Sequence, residues 1–141
     1  MKQVLIAEDN PADQELIRLT FEEVAPDYQL AVVKDGEELI EYLEAHNPFD
    51  LHFVLLDLNM PRMSGADVLK KLSASEKYRT IPVIVFSSSV RGDDVTQSYA
   101  QGANAYVRKP ENLTEYSDTI AAITEFWGKV NVLARPIEAA F

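Results

Sequence analysis

The chain has 141 residues, no cysteine and a formal charge of −10 at pH 7, with 47% hydrophobic and 26% charged residues, which suits one soluble domain around one core. Disulfides and thiolate metal sites are excluded, and the acidic balance argues against nonspecific nucleic-acid binding, which needs clustered cations. No apolar run approaches a membrane span, and the opening Met-Lys-Gln-Val-Leu-Ile-Ala-Glu-Asp turns acidic too early for a signal peptide, so the expectation is a cytoplasmic protein that partners other proteins or a metal ion, neither nucleic acid nor membrane.

Val4-Leu5-Ile6-Ala7 predicts a first buried strand running into Glu8-Asp9. Asn10 suits an N-cap, Pro11 the first helical position and Asp13 the acid-favouring first turn. Leu16, Ile17, Thr20, Phe21 and Val24 then recur at helical spacing until Pro26-Asp27. Leu30 to Val33 predicts a second strand. After Asp35-Gly36, a helix over 37–45 turns Leu39, Ile40 and Leu43 inward and its glutamates to solvent, and Asn47-Pro48 stops it.

Leu51 to Leu56 is apolar on both faces, the pattern of a strand covered on both sides, and Asp57 stands at its exit. Ser64 and Asp67 approximate a capping box before a helix that buries Val68, Leu69 and Leu72. Ile81 to Phe86 predicts a fourth strand that exits into Ser87-Ser88-Ser89. A shorter, more polar helix over 93–101 follows, with Val95, Tyr99 and Ala100 as its apolar residues, and Gly102 ends it. Ala105 to Val107 predicts a fifth strand leading into Lys109-Pro110. Leu113, Tyr116, Ile120, Ile123, Trp127 and Val130 predict one continuous helical seam, with a short tail beyond Leu133.

Five strand–helix repeats imply an α/β doubly wound fold, a parallel sheet in the order 2-1-3-4-5 with helices on both faces. In that order the first and third strands are neighbours, so Glu8, Asp9 and Asp57 converge at the sheet's carboxyl edge, with Ser87 and Lys109 at the same edge. Clustered carboxylates repel one another, and a hard divalent cation relieves the repulsion; oxygen ligands alone point to Mg²⁺ or Mn²⁺. An aspartate can act as a nucleophile toward phosphorus, and a lysine and a hydroxyl nearby can hold the transferred oxygens.

Glu8-Asp9, the segment from Asp57 through Asn59-Met60-Pro61-Arg62-Met63-Ser64 to Gly65, Ser87, Gly102-Ala103, Tyr106 and Lys109-Pro110 occur in order, each at its strand end. This set resembles the receiver domains of two-component response regulators, over residues 3 to 127, and the resemblance implies a CheY-like (βα)5 fold. It implies that Asp57 takes a phosphoryl group from the phosphohistidine of a sensor histidine kinase. It implies that Asp9 and Asp57 bind Mg²⁺ through carboxylates, Glu8 through water and Asn59 through its carbonyl. Lys109 and Ser87 would hold the phosphoryl group, Tyr106 would swing inward as Ser87 moves, and the peptide before Pro110 would be cis. Two departures from the commonest pattern are mild: Glu-Asp for Asp-Asp, and serine for threonine at position 87.

The expected organisation is a receiver over 1–127, with 128–141 completing the last helix and a tail, and no output domain. The segment from Glu125 to Leu133, together with Asn112-Leu113, is similar to the small response regulators paired with cyanobacterial and bacterial phytochromes. That similarity implies a phytochrome kinase and suggests Phe126, Trp127, Val130 and Leu133 as a homodimer surface. A histidine phosphotransfer protein is a further candidate partner. Three alternatives are weaker. A haloacid-dehalogenase-like phosphatase wants a second aspartate where Asn59 stands. A flavin module wants a phosphate-cradling loop where Glu8-Asp9-Asn10-Pro11 is acidic and lacks glycine. A receiver that only binds partners would not need the complete acidic, serine and lysine set.

Overall fold

The computed structural model describes residues 2–134; Met1 and residues 135–141, which fall in the expected tail, lie outside the described residues. Five strands, β1 (Lys2–Ala7), β2 (Tyr28–Val33), β3 (Leu51–Leu56), β4 (Val83–Ser87) and β5 (Ala105–Arg108), form one sheet in the order β2-β1-β3-β4-β5, and every pairing is parallel. Five helices alternate with them: α1 (Pro11–Val24), α2 (Gly36–Ala45), α3 (Gly65–Ser73), α4 (Gly92–Ala100) and α5 (Leu113–Glu125). The doubly wound topology read from the sequence is the one observed. No helix among the described residues is long and apolar enough to cross a membrane.

The pleat divides the central strands between two cores. Val4, Ile6, Phe53, Leu55, Ile84 and Phe86 meet Ile17 and Phe21 of α1 and Tyr116, Ile120 and Ile123 of α5. Leu5, Ala7, Val54, Leu56, Val83 and Val85 meet Leu39 and Leu43 of α2 and Val68, Leu69 and Leu72 of α3. The valine, leucine, isoleucine and phenylalanine side chains among them each contribute about 1.5–3 kcal/mol on full burial. Apolarity on both faces of β3 is therefore what commits Leu51–Leu56 to the middle of the sheet.

Most helix starts follow their caps. Asn10 accepts hydrogen bonds from the Ala12 and Asp13 amides, Asp35 from Glu38, Ser64 from Asp67 and Asn112 from Glu115. At α4 no side chain caps the start, and only Ser98 is buried; Tyr99 and Ala100, counted among the apolar residues of this helix, are exposed. Gly102 closes the turn after α4 with φ 111°, a conformation that favours glycine.

The last helix departs from the expected seam. Tyr116, Ile120 and Ile123 are buried, but Leu113 is 70% exposed and Val130 59% exposed. After Glu125 the chain takes a π-helical turn, Phe126–Val130, closed by the Asn131 amide on the Phe126 carbonyl at 2.7 Å. Its wider turn shifts the register that would have carried Val130 inward. Gly128 is buried there because the Tyr28 hydroxyl occupies the space a Cβ would need, and that hydroxyl donates to the Thr124 carbonyl at 2.8 Å.

Candidate functional site

Strand register assembles the site. Ala7 pairs with Leu56, so the next residues, Glu8 and Asp57, emerge side by side. Backbone bonds continue past the strand ends: the Asp57 amide donates to the Ala7 carbonyl at 3.0 Å, Glu8 to Val33 at 3.0 Å and Lys109 to Ser87 at 2.8 Å. The carboxylates of Glu8, Asp9 and Asp57 offer oxygens that all lie within 4.8 Å of one another. Glu8 and Asp57 are buried, whereas Asp9 is exposed at the rim.

Among the described residues, one cation faces this group. Lys109 pairs with Glu8, and its Nζ lies 3.3 Å from an Asp13 oxygen and 3.9 Å from an Asp57 oxygen. Burial pushes the Glu8 carboxyl up to about 7 against the lowering effect of Lys109, with the Asp57 charge pushing it further. Burial likewise raises Asp57, opposed mainly by Lys109 and helped by the Asp9 charge. Burial works against the Lys109 charge, but Glu8, Asp57 and Asp13 outweigh it and raise its pKa. Three carboxylates with an open rim and a surplus of negative charge fit a hard divalent cation, with water filling the remaining positions.

The loop after β3 is held tightly. A Cβ on Gly65 would overlap the Asp57 carbonyl oxygen, so the start of α3 is pressed directly against the acidic residue. The Gly65 amide donates to the Leu58 carbonyl at 3.0 Å, and Met60 is buried in the α2/α3 core. Arg62 adopts φ 62° and its guanidinium donates to buried Asp35. The Gly36 amide donates to the Met63 carbonyl at 3.1 Å. Asn59 is exposed, and its amide approaches Asp57 Oδ1 at 3.4 Å.

On the other side, Ser87 ends β4, fully buried, with its Oγ accepting the Ser89 amide at 3.2 Å. An accepting hydroxyl keeps its own proton free to donate. Ser89 Oγ donates to Asp94 at 2.5 Å, and the Tyr106 hydroxyl donates to the Ser89 carbonyl at 2.8 Å. The Tyr106 amide in turn donates to the Tyr99 hydroxyl at 3.1 Å. Tyr106 is thus half-buried against the α2/α3 core side of the sheet with its hydroxyl already on the β4–α4 loop.

The expected cis peptide before Pro110 is corrected: no peptide among the described residues is cis. A prolyl bond favours trans by about 0.5–1 kcal/mol. Lys109 reaches the acidic group from the trans form with its amide bonded to Ser87. Far from this site, Phe126 is exposed edge-on to half-buried Trp127, with ring centroids 4.9 Å apart. Val130 is exposed, and Leu133 lines a small crevice with Phe49, Leu51 and Ile81.

Sequence reading missed four participants. Asp13 was read only as a helix-start acid, although it lies four residues beyond Asp9 in the first turn of α1. Asp35 and Arg62 find each other across two loops, for which no local pattern exists. Asp94 sits at the start of α4, where an acid is unremarked because the helix dipole favours it.

Known proteins share this fold. The response regulator Rcp1 of Synechocystis sp. is 30% identical over 130 residues, covering 89% of this chain and 88% of that one. The crystal structure of its Mn²⁺-bound form superposes with a TM-score of 0.84 at 29% identity, covering 96% of this chain and all of that one. The phosphorylated cyanobacterial phytochrome response regulator RcpA gives 0.86 at 31% identity over 95% of this chain and 99% of that one. RPA3017, a response regulator in red light signaling of R. palustris, gives 0.87 at 33% identity over 96% and 100%. Residues 4–121 match the sequence profile of the response regulator receiver domain. The chain therefore belongs to the response regulator receiver domain family, the phosphorelay receivers of two-component systems rather than a family of metabolic enzymes.

Proposed function

We propose that Asp57 is the phosphoacceptor. The observation that carries this is the meeting of buried Asp57 with Glu8, Asp9 and Lys109 in one crevice at the sheet edge. An Asp57 carboxylate oxygen attacks the phosphorus of a kinase phosphohistidine; the new P–O bond forms as the P–N bond breaks, and the imidazole nitrogen keeps the electron pair. Glu8, Asp9 and Asp57, with the Asn59 carbonyl, would hold Mg²⁺, or Mn²⁺ in its place, and the ion would supply positive charge to the phosphoryl oxygens. Lys109 neutralises a second oxygen, and the free Ser87 proton is available to a third. The chemistry extends to self-phosphorylation and slow autodephosphorylation.

Switching a receiver from mostly off to mostly on takes about 3–5 kcal/mol of differential stabilisation, and one charge-assisted hydrogen bond supplies about 1.5–3 kcal/mol. Lys109, Ser87 and Tyr106 must therefore act together. Tyr106 and Ser89 give the β4–α4 loop a set of single hydrogen bonds that can be exchanged. The receiver unit spans 1–127, and the turn Phe126–Val130 closes its last helix. Its upstream partner is a sensor histidine kinase in the cytoplasm, of the phytochrome type, a reading supported by the similarity to the cyanobacterial phytochrome response regulator RcpA. A histidine phosphotransfer protein is a candidate onward partner. Exposed Phe126 and Val130, with Trp127 and Leu133, are the candidate homodimer surface.

The test is transfer from a phosphohistidine donor in the presence and absence of Mg²⁺. Wild-type protein is expected to incorporate phosphoryl only with the metal, and Asp57→Asn to incorporate none. Incorporation by Asp57→Asn at the wild-type rate would sink the assignment. Chromatography with and without beryllofluoride checks the dimer surface; a monomeric mass in both conditions would count against it.

A further inference from the structure

Lys109 also lines a second opening, a cleft of about 320 Å³ that it shares with Asp13 and Tyr116. Tyr116 is 3% exposed, and its ring stands edge-on to Phe86 with centroids 5.6 Å apart. Its hydroxyl has no hydrogen-bond partner among the described residues. A buried hydroxyl left unpaired is costly, and phenylalanine would fill the same space without that cost. Burial raises the Tyr116 pKa, and the charges of Asp13 and then Glu8 raise it further, so the hydroxyl keeps its proton and is available to a carboxylate as a donor.

Asp13, meanwhile, holds Lys109 at 3.3 Å, beyond the ordinary length of a charge-assisted bond. Lys109 stands 3.9 Å from Asp57, outside hydrogen-bond reach. A phosphoryl group on Asp57 would set new anionic oxygens within reach of Lys109, and these compete for its ammonium with the already long contact to Asp13. We propose that Tyr116 is the partner waiting for Asp13. In the unphosphorylated protein Asp13 positions Lys109; once the phosphoryl group draws Lys109 away, the Asp13 carboxylate accepts the Tyr116 hydroxyl. Asp13 and Tyr116 are positioning residues acting through Lys109, and the exchange ties the first turn of α1 to α5 in the phosphorylated state. This rests on Asp57 being the phosphoacceptor.

A double-mutant cycle on the full chain tests it, with beryllofluoride and Mg²⁺ as the probe. Tyr116→Phe keeps the ring against Phe86, so folding is preserved. It is expected to weaken beryllofluoride binding about tenfold, the scale of one charge-assisted bond, but less than about twofold when Asp13 is already alanine. The carboxyl carbon resonance of Asp13 is expected to shift on beryllofluoride addition in wild-type protein and by a different amount in Tyr116→Phe, where Lys109 leaves and no hydroxyl replaces it; the same shift in both would count against the exchange. Equal weakening in both backgrounds overturns the proposal, because it means that Tyr116 acts structurally or through a bound water. No weakening by Tyr116→Phe overturns it as well. Failure of wild-type protein to bind the probe would overturn the phosphoacceptor assignment along with it.

Discussion

The two loops that flank Asp57 are built in opposite ways. The β3–α3 loop is fixed by backbone and core: Gly65 pressed on the Asp57 carbonyl, Met60 buried, Arg62 on Asp35 and Gly36 on Met63. The β4–α4 loop is held by hydrogen bonds radiating from Ser89, while Ser88 and Val90 are exposed and α4 buries only Ser98. A metal needs ligands held in place, so the side bearing Asn59 tolerates little movement. A signal needs something that moves cheaply, and single hydrogen bonds exchange at little net cost. Under the proposed phosphoacceptor reading, the contrast would put metal positioning on one side and switching on the other.

The largest effect that could break this contrast is at Gly65. Gly65→Val places a branched side chain against the Asp57 backbone and is expected to lower the unfolding free energy by about 3 kcal/mol or more. Urea denaturation measures it; a loss below about 1 kcal/mol would mean the loop is not tightly packed.

A pH titration of metal-free protein comes next. Glu8 has its pKa raised to about 7 from the ordinary 4.5, so between those values the folded state keeps a proton the unfolded state has released. Stability is therefore present at low pH and lost as pH rises through that window, by on the order of 3 kcal/mol, with Asp57 acting in the same direction. Saturating Mg²⁺ is expected to reverse the slope, because protons then compete with the ion for the same oxygens. Thermal melts from pH 5 to pH 8 in chelator and in Mg²⁺ decide; a metal-free stability that climbs with pH would contradict the burial argument.

Asp35→Ala removes both the cap of α2 and the partner of Arg62. It is expected to cost about 1–2 kcal/mol, since Arg62 is half exposed and its share is screened. Magnesium affinity should fall with it, measured by isothermal titration, if the clamp positions the Asn59 carbonyl. The smallest change belongs to the other side. Ser89→Ala is expected to shift stability by less than about 1 kcal/mol while altering the beryllofluoride-induced resonance changes of Tyr106. An effect as large as that of Gly65→Val would erase the distinction between the loops.

Much of this molecule is legible in its sequence because the signals are local. The apolar run Leu51–Leu56 announces a doubly covered strand, and the acids, serine and lysine at the strand exits announce the site. The alternation of strands and helices then places them at one edge. What escaped is relational. Beside the register change after Glu125, Tyr28 fills the space at Gly128, a contact between residues far apart in the chain. The positive φ of Arg62 and its bond to Asp35 arise from two loops meeting, with no pattern within either. Tyr116 was read correctly as inward, but a tyrosine where phenylalanine would pack was itself a sign that the hydroxyl has work to do.

Reductive trapping tests the identity of the acceptor most directly. Borohydride converts an aspartyl phosphate to homoserine, which peptide mapping locates. After exposure to a phosphohistidine donor with Mg²⁺, homoserine is expected at position 57 alone, and none when the metal is chelated. Homoserine at position 9, phosphoryl retained on His46 or His52, or equal labelling of Asp57 without metal would contradict a metal-assisted phosphoryl site centred on Asp57.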